Sequence, residues 1–404
     1  MALQSAPAIV ALEARAARLG PAPVLGAASL ALGHAVNDSY AYILPPLLPI
    51  LLTQAGITLS MGAALVAVNM LASSILQPMF GHWADQSGAG RWMVWAGVLL
   101  SGAGAAALGI VPGFAGMGVA MLAAGVGAAL FHPVSAALVA SAAPASQRGF
   151  WMSAYISAGN VGLGLGPLLV GLVLVNGDMS RTWLLFLPAA AAALLMWRLA
   201  PARPGRRRGT TSQSLPAVLR RHWRILGALV AVVALRSWAS TTLVTFLPVF
   251  ATQRGALPAE AAQVLTVFLI AGAIGGFAGG TAADRLGRDQ VVIGSLLLSV
   301  PFGVYLGTIA EFGLTFWVAV AASGFFLNGS WISLTVRGQE SVPGSIAMMS
   351  GLMLGLSVGL GGIAVAPIGL VAERAGLGMV VSGVACLPLL GALMMRFVPR
   401  SSPA

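Results

Sequence analysis

The chain has 404 residues, 58% of them hydrophobic and only 8% charged, with a net charge of +11. A mean hydropathy of +0.92 cannot be arranged as a water-facing surface, which excludes a soluble globular domain and leaves a polytopic membrane protein. With about 20 apolar residues needed for each crossing, the sequence divides into twelve candidate spans, at roughly 26–52, 60–82, 92–111, 115–141, 148–175, 182–200, 225–251, 260–282, 290–310, 312–335, 345–371 and 377–397. The expected fold is all-α, with residues 1–200 and 225–404 forming two six-helix halves and 201–224 a linker.

The first 24 residues, with Glu13, Arg15 and Arg18, read as a short cytoplasmic arm rather than a cleaved signal peptide, because the apolar run that follows is too long and too interrupted. In span 1, His34 and Asp38 stand four residues apart and so share one helix face near mid-membrane. A charge at that depth costs about 2.5–3.5 kcal/mol on insertion scales, which marks the pair as functional. Asp38 is the expected proton carrier and His34 the group that tunes it; the plainer alternative is a fixed pair holding span 1 to a neighbour.

Span 2 carries Asn69, Ser73 and Gln77 at i, i+4 and i+8. The stripe either lines a pathway or joins helices through hydrogen bonds. The loop after it reads Gly81-His82-Trp83-Ala84-Asp85-Gln86-Ser87-Gly88, closed by Arg91, and a similar signature follows span 8 as Gly280-Thr281-Ala282-Ala283-Asp284-Arg285-Leu286-Gly287-Arg288. Two copies at equivalent places indicate a duplicated half. Each Asp can accept hydrogen bonds from helix N-terminal amides and pair with a local arginine, so Gly81, Asp85, Arg91, Gly280, Asp284, Arg285 and Arg288 are candidate gating residues.

His132, beside Pro133 in span 4, reads as packed or interfacial, and Asn160 in span 5 as a weaker substrate contact. Glycine-rich stretches such as 159–166 and 272–280 read as helix-packing surfaces and not phosphate loops, since no Gly-Lys-Ser/Thr follows and the chain has no lysine. Paired motifs, Leu44-Pro45 with Leu247-Pro248 and Gly166-Pro167 with Ala366-Pro367, predict bends at matching depths of the two halves. In span 7, Arg236 is an always-charged guanidinium at the depth of Asp38, suited to a carboxylate, phosphate or phosphonate or to pairing with Asp38 across the halves. Ser240, one turn on, extends its polar face, and Asn328 with Trp331 in span 10 are further substrate-contact candidates. Cys386 has no partner and reads as packing.

The twelve-span pattern and the doubled loop signature resemble the major facilitator superfamily. More narrowly, His34 to Asp38, the Leu-Pro-Pro-Leu-Leu-Pro run from Leu44 to Pro49, Gln77 to Gly81 and Phe131-His132-Pro133 resemble the fosmidomycin-resistance family of drug exporters. The resemblance implies an alternating-access transporter. Val134 and Ala137 stand where that family leads one to expect an acidic residue and an arginine, which implies a subgroup with altered substrate or coupling.

The arginines fix a topology. Seventeen fall on one side of the expected spans, only Arg181, Arg254 and Arg374 on the other, and Arg236 within a span. By the positive-inside rule both termini are cytoplasmic, in a bacterial inner membrane, and the basic cluster from Arg198 to Arg224 is explained by topology beside an anionic leaflet, without nucleic acid. No His-Glu-x-x-His and no paired histidine spacing supports an enzyme or a metal centre, and no cofactor is called for. The sequence therefore predicts a monomeric exporter of a small organic, anionic compound by proton antiport, with an importer of a small organic anion as the alternative. With its proton bound, the cavity carries a net positive charge that attracts an anion; once the proton leaves, Asp38 competes for Arg236.

Overall fold

The computed structural model describes residues 21–87, 90–143, 147–174, 177–201, 215–341 and 346–398, and all regular structure among them is helical. Among the described residues, ten helices are long and apolar enough to cross a membrane. The other two crossings are the 18-residue helix Gly90–Ala107 and a broken first span made of Pro21–Ser39 and Leu44–Gln54. In chain order the remaining spans are Leu59–Ser87 (span 2), Gly113–Ala142 (4), Arg148–Val173 (5), Met179–Leu199 (6), Leu215–Gln253 (7), Pro258–Leu286 (8), Arg288–Thr308 (9), Leu314–Glu340 (10), Ile346–Ala375 (11) and Leu377–Phe397 (12), with Gly90–Ala107 as span 3.

Packing repeats between the halves. Span 1 lies on span 5 as span 7 lies on span 11; spans 2 and 4 pair as spans 8 and 10 do; span 3 meets spans 4 and 6 as span 9 meets spans 10 and 12. The halves join along two seams, span 2 against span 11 and span 5 against span 8, which exchange under the same correspondence. Along the first seam Gly369 packs on Ala63 and Ser60, and Gly362 on Met70 and Leu71. The Glu373 carboxylate of span 11 accepts from the Ser60 amide at 2.8 Å, an orphan donor in the first turn of span 2. Both seams are therefore closed at the arginine-poor end, where Gly171 of span 5 also meets Ala262 of span 8. At the opposite end of these helices Met79, Trp83, Phe150, Ile156, Phe277 and Leu286 are exposed.

The prolines act unequally. Pro45 and Pro46 begin the second piece of span 1, and the chain turns through residues 40–43 before them. Two successive residues without an N–H leave no ladder for a continuous helix. Span 7 instead runs through its single Pro248 as one helix, so the expected pairing of bends is not reproduced as a pairing of breaks. Its only non-helical residue is His222 (φ −115°, ψ 19°), and it begins at Leu215, earlier than hydropathy predicted, because Arg220, Arg221 and Arg224 lower hydropathy without opposing a helix. Most of the expected linker, 202–214, lies outside the described residues, as do Gly88 and the side chain of Asp85. Span 6 opens at Asp178, which accepts from the Ser180 hydroxyl (2.6 Å) and amide (3.0 Å). These bonds, the hydroxyl's first, hold its carboxyl below the ordinary range.

Candidate functional site

Asp38 lies at the end of the first piece of span 1, just before the break, and side chains of four helices, spans 1, 3, 4 and 5, converge around it. His34 Nε2 lies 3.2 Å from Asp38 Oδ2, and His132 Nε2 of span 4 lies 3.4 Å from Oδ1. Asn37 Nδ2 stands 3.4 Å from both Asp38 Oδ1 and His132 Nε2, and its carbonyl accepts from Ser101 of span 3 at 3.0 Å. From span 5, the Tyr155 ring stacks on His34 at 4.0 Å between centroids, and its hydroxyl meets Ser135 of span 4 at 2.6 Å.

One contact decides where protons must be. His34 Nδ1 lies 2.7 Å from the Tyr155 backbone oxygen, which can only accept, so Nδ1 carries a hydrogen. In a neutral ring the other nitrogen would then aim a lone pair at the Asp38 carboxylate 3.2 Å away. That geometry requires a proton between Nε2 and Oδ2, on one partner or the other. The arrangement can accommodate one shared proton.

Span 5 comes close enough to enclose it because position 159 is glycine. A Cβ there would stand 2.5 Å from His34 Cε1, 2.7 Å from its Nε2 and 2.8 Å from Asp38 Oδ2. Gly162 similarly lets the span 5 backbone rest on the Ala35 carbonyl.

Arg236 is buried in span 7, 4% exposed. Its terminal nitrogen donates to Asn328 Oδ1, and its guanidinium lies 4.5 Å over the Trp331 ring. Asn328 is held in turn by its own Nδ2 on the Gly324 carbonyl at 3.0 Å. The expected substrate contacts Arg236, Asn328 and Trp331 therefore form one group. The Arg236 Nε is buried without a partner, an unused donor on an always-charged side chain. Arg236 makes no ion pair with Asp38 in this conformation; Tyr42, at the break of span 1, is within electrostatic reach of both.

The other expected residues scatter. Asn69 donates to the Met121 carbonyl at 3.2 Å and so joins span 2 to span 4, while Gln77 donates to Ser73 of its own helix at 3.1 Å. Ser240 is half-buried and Asn160 exposed. Arg91 donates to the Trp197 and Arg198 carbonyls at the end of span 6. In the second half Gly280 faces Ile332, Arg288 pairs with Glu340 at 2.8 Å, and Asp284 and Arg285 are exposed. Arg337, 3% exposed, pairs with the half-buried Asp289 at 3.0 Å, an ion pair that the loop signature alone does not reveal. Cys386 is exposed rather than packed.

His132 corrects the reading of span 4: the histidine expected to be packed or interfacial faces Asp38. Its neighbour Pro133 is inside a continuous helix, Gly113–Ala142, as the expected span 115–141 has it. Asn37, Ser101, Tyr42 and Tyr155 were not anticipated either. Asn37, next to Asp38, carried a signal in its neighbour; the others lie on separate turns and helices with no local pattern.

The model of the Major Facilitator Superfamily matches residues 30–367. The chain is 30% identical over 390 residues to the fosmidomycin resistance protein of Escherichia coli (strain K12), covering 93% of this chain and 92% of that one. It is 31% identical over 375 residues to the uncharacterized MFS-type transporter YfnC of Bacillus subtilis (strain 168), 89% of each chain. Its fold is similar to a bacterial homologue of the human lysosomal transporter Spinster in an inward-facing, occupied conformation, with a TM-score of 0.80 at 15% identity over 96% of this chain and 100% of that one. It is also similar to a D-xylose-proton symporter, TM-score 0.70 at 16% identity over 92% and 97%. The chain belongs to the major facilitator superfamily and is a membrane transporter, not an enzyme.

Proposed function

We propose that the protein exports a small organic anion across a bacterial cytoplasmic membrane in exchange for protons, with both termini in the cytoplasm. The observation that carries this reading is the pairing of two buried sites in opposite halves: the His34–Asp38 contact at 3.2 Å, and the Arg236 guanidinium with its unpartnered Nε. The first supplies a group that gains and loses a proton. The second supplies a fixed positive charge that a carboxylate, phosphate or phosphonate would engage through the free Nε–H, with Asn328 and Trp331 holding the fork in place. Seams closed at the arginine-poor end, with exposed apolar side chains at the other, fit an inward-open state from which a cytoplasmic substrate would load. Asp85 and Asp284 would then engage as the cytoplasmic side closes. The resistance named for one relative supports the outward direction.

Proton-coupled import is the second reading. It is favoured by charge: an anion at Arg236 would strengthen the hold on a proton at Asp38, which suits co-transport. One assay separates the readings. Everted vesicles with an imposed pH gradient should accumulate a labelled small phosphonate only when wild-type protein is present. Asp38→Asn should abolish gradient-driven movement but keep counterflow, and Arg236→Gln should abolish both, with Arg236→Lys retaining part. Full gradient-driven transport in Asp38→Asn, or equal transport by wild type and Arg236→Gln at matched expression, would reject the proposal; accumulation only in right-side-out vesicles would establish import.

A further inference from the structure

We propose that His34, Asp38 and His132 bind a divalent transition-metal ion such as Zn2+ in place of the shared proton. The inference uses the side chains of the proton site but does not depend on transport being proton-coupled.

Geometry is the first ground. The potential ligand atoms of the three residues all lie within 4.8 Å of one another. The His34 Nε2 to Asp38 Oδ2 distance is 3.2 Å and the His132 Nε2 to Asp38 Oδ1 distance 3.4 Å. A tetrahedral site with bonds near 2.1 Å has edges of about 3.4 Å, so the ligands need little movement to close on one ion. Two imidazoles and one carboxylate form a ligand set used for Zn2+, with a fourth position for water.

The surroundings are the second ground. A metal-binding histidine needs its other ring nitrogen fixed, and His34 Nδ1 already donates to the Tyr155 carbonyl at 2.7 Å. Asn37, itself anchored by Ser101, lies beside the carboxylate and His132. The His132 side chain is 27% exposed, more than His34 or Asp38, and offers the route of entry.

Charge sets the consequence. The ion would displace the proton held between His34 and Asp38, which leaves to solvent, so metal and proton exclude each other. All three ligands belong to spans 1 and 4 of one half, so the metal does not staple the halves together. The other titratable or charged groups facing Asp38 are Tyr155 from span 5 and Tyr42, with Arg236 of span 7 beyond it. Metal affinity should fall about tenfold for each unit of acidification per proton displaced.

Co2+ titration of the purified full-length protein tests this, because four-coordinate Co2+ absorbs visibly. One equivalent should give that absorption, Zn2+ should remove it, and acid should release the ion. His132→Gln and Asp38→Asn should each weaken binding at least tenfold, while a His82→Gln/His222→Gln double variant should bind as wild type does. Absence of the band in wild type, undiminished binding in both single variants, its loss in the double variant, or insensitivity to acid would overturn the proposal. The acid release is read on wild type, so the test survives a variant that fails to fold. No gradient is involved, so a missing band rejects the metal site and leaves the proton-coupling proposal to its own transport assay.

Discussion

Gly159→Ala adds one methyl group to the tightest point of the site, and its effect follows from the geometry. The new Cβ would sit 2.5 Å from His34 Cε1, 2.7 Å from Nε2 and 2.8 Å from Asp38 Oδ2. Ordinary contact begins near 3.5 Å, so about 1 Å must be found between spans 1 and 5. The His34 ring cannot supply it by rotation, being stacked on Tyr155 and held at Nδ1. The Gly162 contact on Ala35, one turn away, also resists helix separation. Overpacking of this kind costs about 1–3 kcal/mol, which as a shift against the properly paired site is about 5- to 150-fold. Gradient-driven transport should fall within that range and its pH profile should move, since the proton is no longer shared at 3.2 Å. Gly294→Ala is the control: nothing lies within 4 Å of its added Cβ, and the helix gains about 0.5–1 kcal/mol of stability. A Gly159→Ala protein with wild-type rate, wild-type pH profile and unchanged thermal stability would refute the reasoning that this spacing sets the site.

Two further outcomes test the topology and the closed seam. In a Cys386→Ala background, single cysteines replacing the exposed Arg285 and Arg396 should react only with reagents on the cytoplasmic side and one replacing Arg374 only from outside; labelling of the Arg285 position from outside would overturn the orientation. Glu373→Gln weakens the cap on Ser60 and should raise the population open at that end about two- to fivefold, measured by pulsed-EPR distances between labels on the 55–58 and 374–376 loops. An unchanged distance distribution would remove Glu373 from the seam.

What could be read from sequence followed from local spacing. The contact of His34 with Asp38 was legible because residues at i, i+4 share one helix face, and the buried place of Arg236 because it stands in the middle of an apolar run. His132 obeys that logic too, but it has no ionisable neighbour on its own helix face, and only packing shows it meeting Asp38 of span 1. Tyr155 and Ser101 act through a backbone carbonyl and a hydroxyl from other helices, and neither atom leaves a mark on sequence periodicity. The stripe in span 2 was visible as a stripe, yet whether Asn69 faces a pathway or a neighbour depends on where span 4 lies.

The break in span 1 also bears on how chemistry becomes movement. Its first piece packs on spans 4, 5 and 6 of its own half, whereas the second, Leu44–Gln54, rests on span 7 of the other. Residues 40–43 are therefore a joint between two levers, and Asp38 is two residues from it. Under the proposed function, a change in charge at Asp38 would act on the joint directly, and its coupling to the rocking of the halves would need no relay through the protein. The length of this transmission is a few backbone bonds.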